Sequence, residues 1–333
     1  MRVVALGRTK LLYDSIKYLH SKGIEIILIG TCQEAPEYSV KAEDFKKLAN
    51  DIGAEFFSDA QLNKLDILKQ VKRLKPDIAI SVNWLNIITN EFINIFPNGI
   101  LNCHAGDLPR YRGNAVANWA IINMEKEIVL TIHKMNEELD SGDIILQRKM
   151  QVNNGTKIGD VLTFFEKNAH EMFYESIVGL MNGKIVSKPQ DKDPCKALRC
   201  YPRIPADSFL DWNQNSEYLD RIVRASSEPF SGAYTYFNGN KLVILKSHVE
   251  KYLVSSLNIP GQVLWKRKST GEVGVGTGDG VLVLEKIKTE NGEETIPTEI
   301  IKSLRARLGM MVEDEIYLLM KKVRELEKLL RQE

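Results

Sequence analysis

The chain has 333 residues, long enough for two domains. Its 45 Lys and Arg stand against 44 Asp and Glu, a net of +1, which excludes a strongly basic protein that grips nucleic acid by bulk charge. No apolar run reaches the ~18 residues of a membrane span, no signal-peptide pattern opens the chain, and four cysteines without disulfide or zinc spacing fit reduced thiols in the cytoplasm.

The first half alternates strand-like and helix-like segments. Val3–Gly7 reads as a strand and Leu11–His20 as a helix. Ile24–Gly30 then precedes an amphipathic stretch from Val40 to Ile52. AEFFS (54–58) leads to the helical stretch Leu62–Leu74, with Leu62, Leu65, Ile67, Leu68, Val71 and Leu74 along one stripe. Asp77–Trp84 and Gly99–Gly106 follow as strands. Strands alternating with helices imply crossovers and a mainly parallel sheet, and the continuous apolar runs fit strands covered on both faces. Apolar residues at helical spacing predict a helix over Ile158–Met181. Lys184–Pro205, with Pro189, Pro194 and Pro202, reads as a linker. Beyond it, GAYTYF, Asn238-Gly239 and KLVILKSHV form a hairpin signature, and QVLWKRK and GVLVLEKIK add short strands. The last segment spaces Val312, Ile316, Leu319, Val323, Leu326 and Leu330 by four and three residues, a heptad seam of under three repeats. It either packs onto its own domain or forms a homodimer contact. The expected architecture is α/β: a Rossmann-like, mainly parallel sheet with helices on both faces (1–200), a small OB-like β-barrel (201–305) and a C-terminal helix (306–333).

Gly7 ends the first strand ahead of a helix, but GRTKLLYD carries neither GxGxxG nor a phosphate-loop lysine, which argues against a nicotinamide dehydrogenase. Arg8 and Thr9 at that strand end either line a pocket or form a solvated turn. The informative segment is Leu101–Gln147. Asn102 and His104 are two apart in an extended run and share one face, with Cys103 on the other. An amide donor beside an imidazole can stabilise an oxyanion; taken alone, the spacing equally suits a satisfied structural Asn or His. Asp140, in the loop Asp140-Ser141-Gly142-Asp143, either forms the turn or reaches a neighbouring strand end; beside His104 it would favour the charged imidazole and accept a proton from an amine. Leu108–Gly113 offers Tyr111 and Arg112, which either hold an anionic or sugar group or pack and pair within the protein. His133 reads as a structural or pocket-wall residue. No metal is called for.

Together, the N-x-H of Asn102 and His104, the LP-x-YRG loop of 108–113 and the D-x-GD loop of 140–143 resemble the formyltransferases that use 10-formyltetrahydrofolate. The resemblance continues through RIPADSFLDWNQNSEYLDRIVRASSEPFSGAYTYFNGNKL, which looks like the second domain of methionyl-tRNA formyltransferases and, more closely, of the sugar-nucleotide branch that formylates UDP-4-amino-4-deoxy-L-arabinose. It implies catalytic roles for Asn102, His104 and Asp140, a folate wall from Trp84, Leu85, Ile87 and Ile88, and a second wall around Leu139 and Asp143. Arg8, Thr9, Tyr111 and Arg112 are the expected acceptor-binding residues. The implied reaction moves a formyl group from 10-formyltetrahydrofolate to the amine of a sugar nucleotide, for surface glycans. A tRNA acceptor is the alternative, disfavoured because residues 201–333 carry 19 basic and 19 acidic side chains and because the segment 31–45 is acid-rich. A non-catalytic folate binder is the remaining reading.

Overall fold

The computed structural model describes residues 1–35, 38–250, 257–310 and 312–330, so Pro36 and Glu37 of the acid-rich segment lie outside the described residues. The chain divides into two compact units. The first comprises 1–120, 125–156 and 160–202; the second comprises 121–124, 157–159 and 203 onward.

In the first unit the strands are β1 (Arg2–Gly7), β2 (Glu25–Thr31), β3 (Glu55–Ser58), β4 (Ile78–Val82), β5 (Ile100–His104), β6 (Arg112–Gly113), β7 (Glu127–Lys134), β8 (Ile144–Gln151) and β9 (Arg199–Cys200). The helices are α1 (Lys10–Ser21), α2 (Ala42–Ile52), α3 (Leu65–Leu74), α4 (Asn90–Ile93), α5 (Val116–Ile122) and α6 (Ile158–Met181). Seven strands form one sheet in the order β3-β2-β1-β4-β5-β7-β8. The five from β3 to β5 are parallel, and β7 and β8 complete the sheet antiparallel. This is the expected Rossmann-like arrangement. Its central parallel strands carry apolar runs because crossover helices cover them: Val3, Val4, Ala5 and Leu6 of β1 are all fully buried. One core cluster joins Val4, Leu6 and Leu28 to Val71 of α3 and Phe92 of α4. The α3 stripe differs from expectation at its start. Leu65 is 67% exposed, and Ile67, Leu68 and Val71 make the packing face. Helix α6 spans the predicted residues without change.

Lys184–Pro202 is not a free linker. Lys188 pairs with Ile144 through two 2.8 Å backbone hydrogen bonds, and β9 pairs parallel with β6. The segment is a strap bound to the first unit at two places. Polar, proline-bearing sequence looked like a linker because its stabilising partners are remote in the chain.

The second unit holds α7 (Ser216–Ala225), β10 (Ala233–Phe237), β11 (Asn240–Glu250), β12 (Val263–Arg267), β13 (Glu272–Gly276), β14 (Val281–Thr289), β15 (Glu294–Thr295), α8 (Pro297–Ile300) and α9 (Val312–Leu330). Asn238 and Gly239 turn the β10–β11 hairpin with φ of 51° and 77°, the pair of positive values a type I′ turn requires. The sheet is antiparallel, in the order β10-β11-β14-β13-β12, with β15 on β14. Among the described residues its two ends do not pair, so the ladder of the expected small barrel runs open along this path. β13 was hidden by its glycines: Gly274 faces the Trp265 ring so closely that a Cβ there would lie 2.3 Å from it. No helix among the described residues is long and apolar enough to cross a membrane.

Candidate active site

The site forms where β4, β5 and β7 lie side by side. Register places Ser81 beside Asn102, and Asn102 and His104 of β5 opposite His133 and Thr131 of β7. The i, i+2 spacing read from the sequence therefore brings the expected pair to one sheet face, and the antiparallel neighbour adds His133 to it. The Asn102 Nδ2 lies 3.1 Å from His133 Nε2.

Hydrogen-bond chemistry fixes the tautomers. His133 Nδ1 is 2.9 Å from the Lys134 carbonyl, which can only accept, so Nδ1 carries the proton. In the neutral ring Nε2 is then bare and accepts from the Asn102 amide, leaving the second amide hydrogen to point elsewhere. His104 Nε2 is 2.6 Å from the Tyr111 carbonyl and must likewise donate. Its Nδ1 is thus the open position, and it faces Asp140 Oδ2 at 3.6 Å. Asp140 Oδ1 lies 3.6 Å from His133 Nε2. Asn102, His104, Asp140 and His133 form one group, buried except at Asn102 and the carboxylate edge.

Asp140 sits in left-handed backbone, φ 49°, in the loop between β7 and β8. Gly142 lets that loop close: a Cβ there would fall 1.9 Å from the Lys134 carbonyl oxygen. The Gly113 amide donates to Asp140 Oδ2 at 2.8 Å. Burial works against the carboxylate's charge, but the His133 and His104 rings once protonated, with the Gly113 amide, outweigh it and hold the carboxyl down to about 2. For His104, burial together with His133 outweighs Asp140 and the Tyr111 carbonyl, so its pKa lies below the ordinary imidazole value. At neutral pH the pair is therefore a neutral imidazole with a bare Nδ1 beside a carboxylate. That arrangement receives a proton on nitrogen and stabilises the resulting cation. Burial pushes the Cys103 thiol, on the opposite face, far up and out of the reactive range.

The strap supplies a residue that the sequence reading missed. Gln190, 7% exposed, donates from Nε2 to the carbonyls of Asp140 (2.8 Å) and Gly142 (2.7 Å). Its Oε1 accepts from Arg112 Nη2 at 2.7 Å and Nε at 3.2 Å. One amide thus ties the Asp140 loop to the Arg112 loop. No local pattern marks such a residue; only the tertiary pairing does.

Other expected residues are placed differently. The Tyr111 side chain is 3% exposed, and its hydroxyl donates to Glu125, so the ring packs inside the protein and the carbonyl serves the site. The Arg112 guanidinium donates to Gln190 through Nη2 and Nε. Arg8 donates to the Asn83 and Gln33 carbonyls and lies over the Tyr38 ring. Asp143 accepts from the Ser187 hydroxyl at 3.0 Å, holding the strap, and Leu139 is half-buried next to Asp140 in the loop. Along the expected folate wall Ile88 is 2% exposed and belongs to the core, with Trp84 packed against the same cluster. Leu85 and Ile87 are exposed at 52% and 73%. Two buried hydroxyl oxygens, Thr9 Oγ1 and Ser81 Oγ, have no hydrogen-bond partner among the described residues. In the second unit His248, Glu272 and Glu285 place one donor atom each within 4.8 Å of one another, but Lys246 and Arg267 already neutralise the carboxylates.

A family model described as "Formyl transferase" matches residues 1–177, and one described as "Formyl transferase, C-terminal domain" matches 204–305. This chain belongs to the formyl transferase family. A methionyl-tRNA formyltransferase from Ruminiclostridium cellulolyticum is 25% identical over 316 residues, 93% of this chain and 98% of the relative. Among solved structures, an N-formyltransferase from Helicobacter canadensis, in complex with folinic acid and dTDP-3-aminofucose, aligns with a TM-score of 0.64 at 15% identity. That alignment covers 85% of this chain and 98% of the other. HypX from Aquifex aeolicus aligns with a TM-score of 0.59 at 19% identity over 91% of this chain, which spans only 47% of HypX. The chain is a formyltransferase, and formyltetrahydrofolate is the donor its family uses.

Proposed function

We propose that this enzyme moves the formyl group of 10-formyltetrahydrofolate to the primary amine of a nucleotide-linked amino-deoxysugar, of the 4-amino class. The observation that carries the chemistry is the single group made by Asn102, His104, Asp140 and His133. The uncharged amine attacks the formyl carbon, and the oxygen that gains charge receives the free Asn102 amide hydrogen. The amine's proton passes to His104 Nδ1, where the Asp140 carboxylate stabilises the imidazolium. A carboxyl held near 2 is a poor final base, so Asp140 orients and stabilises while His104 carries the proton. The bond from carbon to the folate nitrogen then breaks, and that nitrogen takes up the proton the amine released. The folate fits the residues present: exposed Leu85 and Ile87 suit a flat ring, and the unpartnered Ser81 hydroxyl, in register with Asn102, suits a polar edge.

For the acceptor, the observation is charge. Basic and acidic side chains balance over 201–333. Lys246, Arg267, Lys286, Lys302 and Arg224 each pair with a carboxylate. A tRNA needs an unopposed basic face; a nucleoside diphosphate needs a few contacts. Methionyl-tRNA is the second reading, favoured by the name of the full-length relative. The test is tetrahydrofolate release, followed by absorbance, with 4-amino- and 3-amino-sugar nucleotides and with charged initiator tRNA. Turnover with a sugar nucleotide alone is expected. Turnover with tRNA alone overturns the acceptor but keeps the chemistry, and release with neither overturns both.

A further inference from the structure

We propose that α9 is a dimerisation element that pairs with α9 of a second copy of this chain as a parallel two-stranded coiled coil. The seam residues Val312, Ile316, Leu319, Val323, Leu326 and Leu330 are 48%, 51%, 58%, 52%, 59% and 73% exposed. A helix docked on its own domain looks different: in α7, Leu219, Ile222 and Val223 are at most 4% exposed. Of the two readings the seam allowed, packing at home is therefore not the one the fold adopts. An isolated helix of 19 residues is marginal in water, and six unburied apolar side chains on one stripe give it no support of its own. Ile316, Leu319, Met320 and Val323 make a continuous exposed apolar face along it.

Two features select a second copy as the occupant. The first is the order of side chains in the heptad. Ile316, Val323 and Leu330 fall at a positions, and Val312, Leu319 and Leu326 at d. β-branched Ile and Val at central a positions with Leu at the central d positions favour two parallel strands. The second is charge. Lys322 falls at g and Glu327 at the following e. In a parallel, in-register pair, g of one helix meets the next e of the other, so Lys322 of each copy faces Glu327 of its mate, twice by symmetry. A seam of under three heptads is short, so the association is expected to be reversible.

The full chain should be measured by sedimentation equilibrium and light scattering across concentrations from low to high micromolar. The mass should climb from 37.8 kDa toward twice that value. Leu319→Glu with Leu326→Glu, both at exposed positions, should raise the dissociation constant roughly 100-fold or more while tetrahydrofolate release stays unchanged. Lys322→Glu should raise it about fivefold, and adding Glu327→Lys should restore it. Ile316→Cys, in a Cys195→Ser background, should cross-link the two copies on oxidation, because only a parallel register brings the two 316 positions together. A single-chain mass at every concentration, a dimer indifferent to the two glutamates, or a dimer that never cross-links overturns the proposal.

Discussion

Asp140 combines left-handed backbone, burial and two imidazole neighbours in one residue, and its folded pKa of about 2 ties stability to pH. The ordinary value is 3.8, so the folded state favours the charged carboxylate. The contribution is fully present above pH 4 and is lost as pH falls toward 2, at about 2 kcal/mol in all. Asp140→Asn should flatten that part of the acid-unfolding curve, measured by circular dichroism, and should also cut turnover at least ~10²-fold. In His104 it is the uncharged form that the fold favours. Its pKa is lowered, so its base form persists below the usual imidazole range, and kcat should hold steady through pH 7 and fall only at more acid pH. A profile that drops near pH 7 or above would remove His104 from the role of base. In the proposed mechanism His133 acts through Asn102. His133→Ala should lower kcat about tenfold with little change in KM, and His133→Gln, whose amide oxygen can accept the same hydrogen bond, should recover part of it.

Among the elements, the strap is the part that converts chain length into site rigidity. Gln190→Leu removes every bond between the Asp140 loop and Arg112 that runs through that amide, and leaves two carbonyls without their donor. Stability should fall by about 2 kcal/mol in urea unfolding, and kcat by about tenfold. Loss of stability without loss of kcat would make Gln190 purely structural. The contrast with β1, β5 and α6 explains what could be read beforehand. Strand runs and the α6 stripe reflect burial at a fixed period, which is local information. Asn102 and His104 were legible for the same reason, since alternation along a strand puts them on one face. Asp140 was legible only through its motif, and His133 was seen but undervalued, because cross-strand register is invisible in one sequence. Gln190, the burial of Tyr111 and the engagement of Arg112 depend on partners 14 to 78 residues away.

Across the whole molecule the balance of charge governs how an acceptor is met. With basic and acidic groups matched over 201–333, association with the proposed sugar-nucleotide acceptor would depend on a few contacts and not on a field. Raising salt from 50 to 200 mM should change the KM for a sugar nucleotide less than about threefold, where a tRNA acceptor would lose orders of magnitude in affinity. A steep salt slope would return the polyanion to first place. The proton that His104 lends to the Tyr111 carbonyl has a spectroscopic consequence. A histidine whose distal nitrogen is locked this way cannot interchange its two neutral forms. Its nitrogen-15 resonances should appear as one protonated and one bare site instead of an averaged pair, and adding an amine acceptor should move only the bare one.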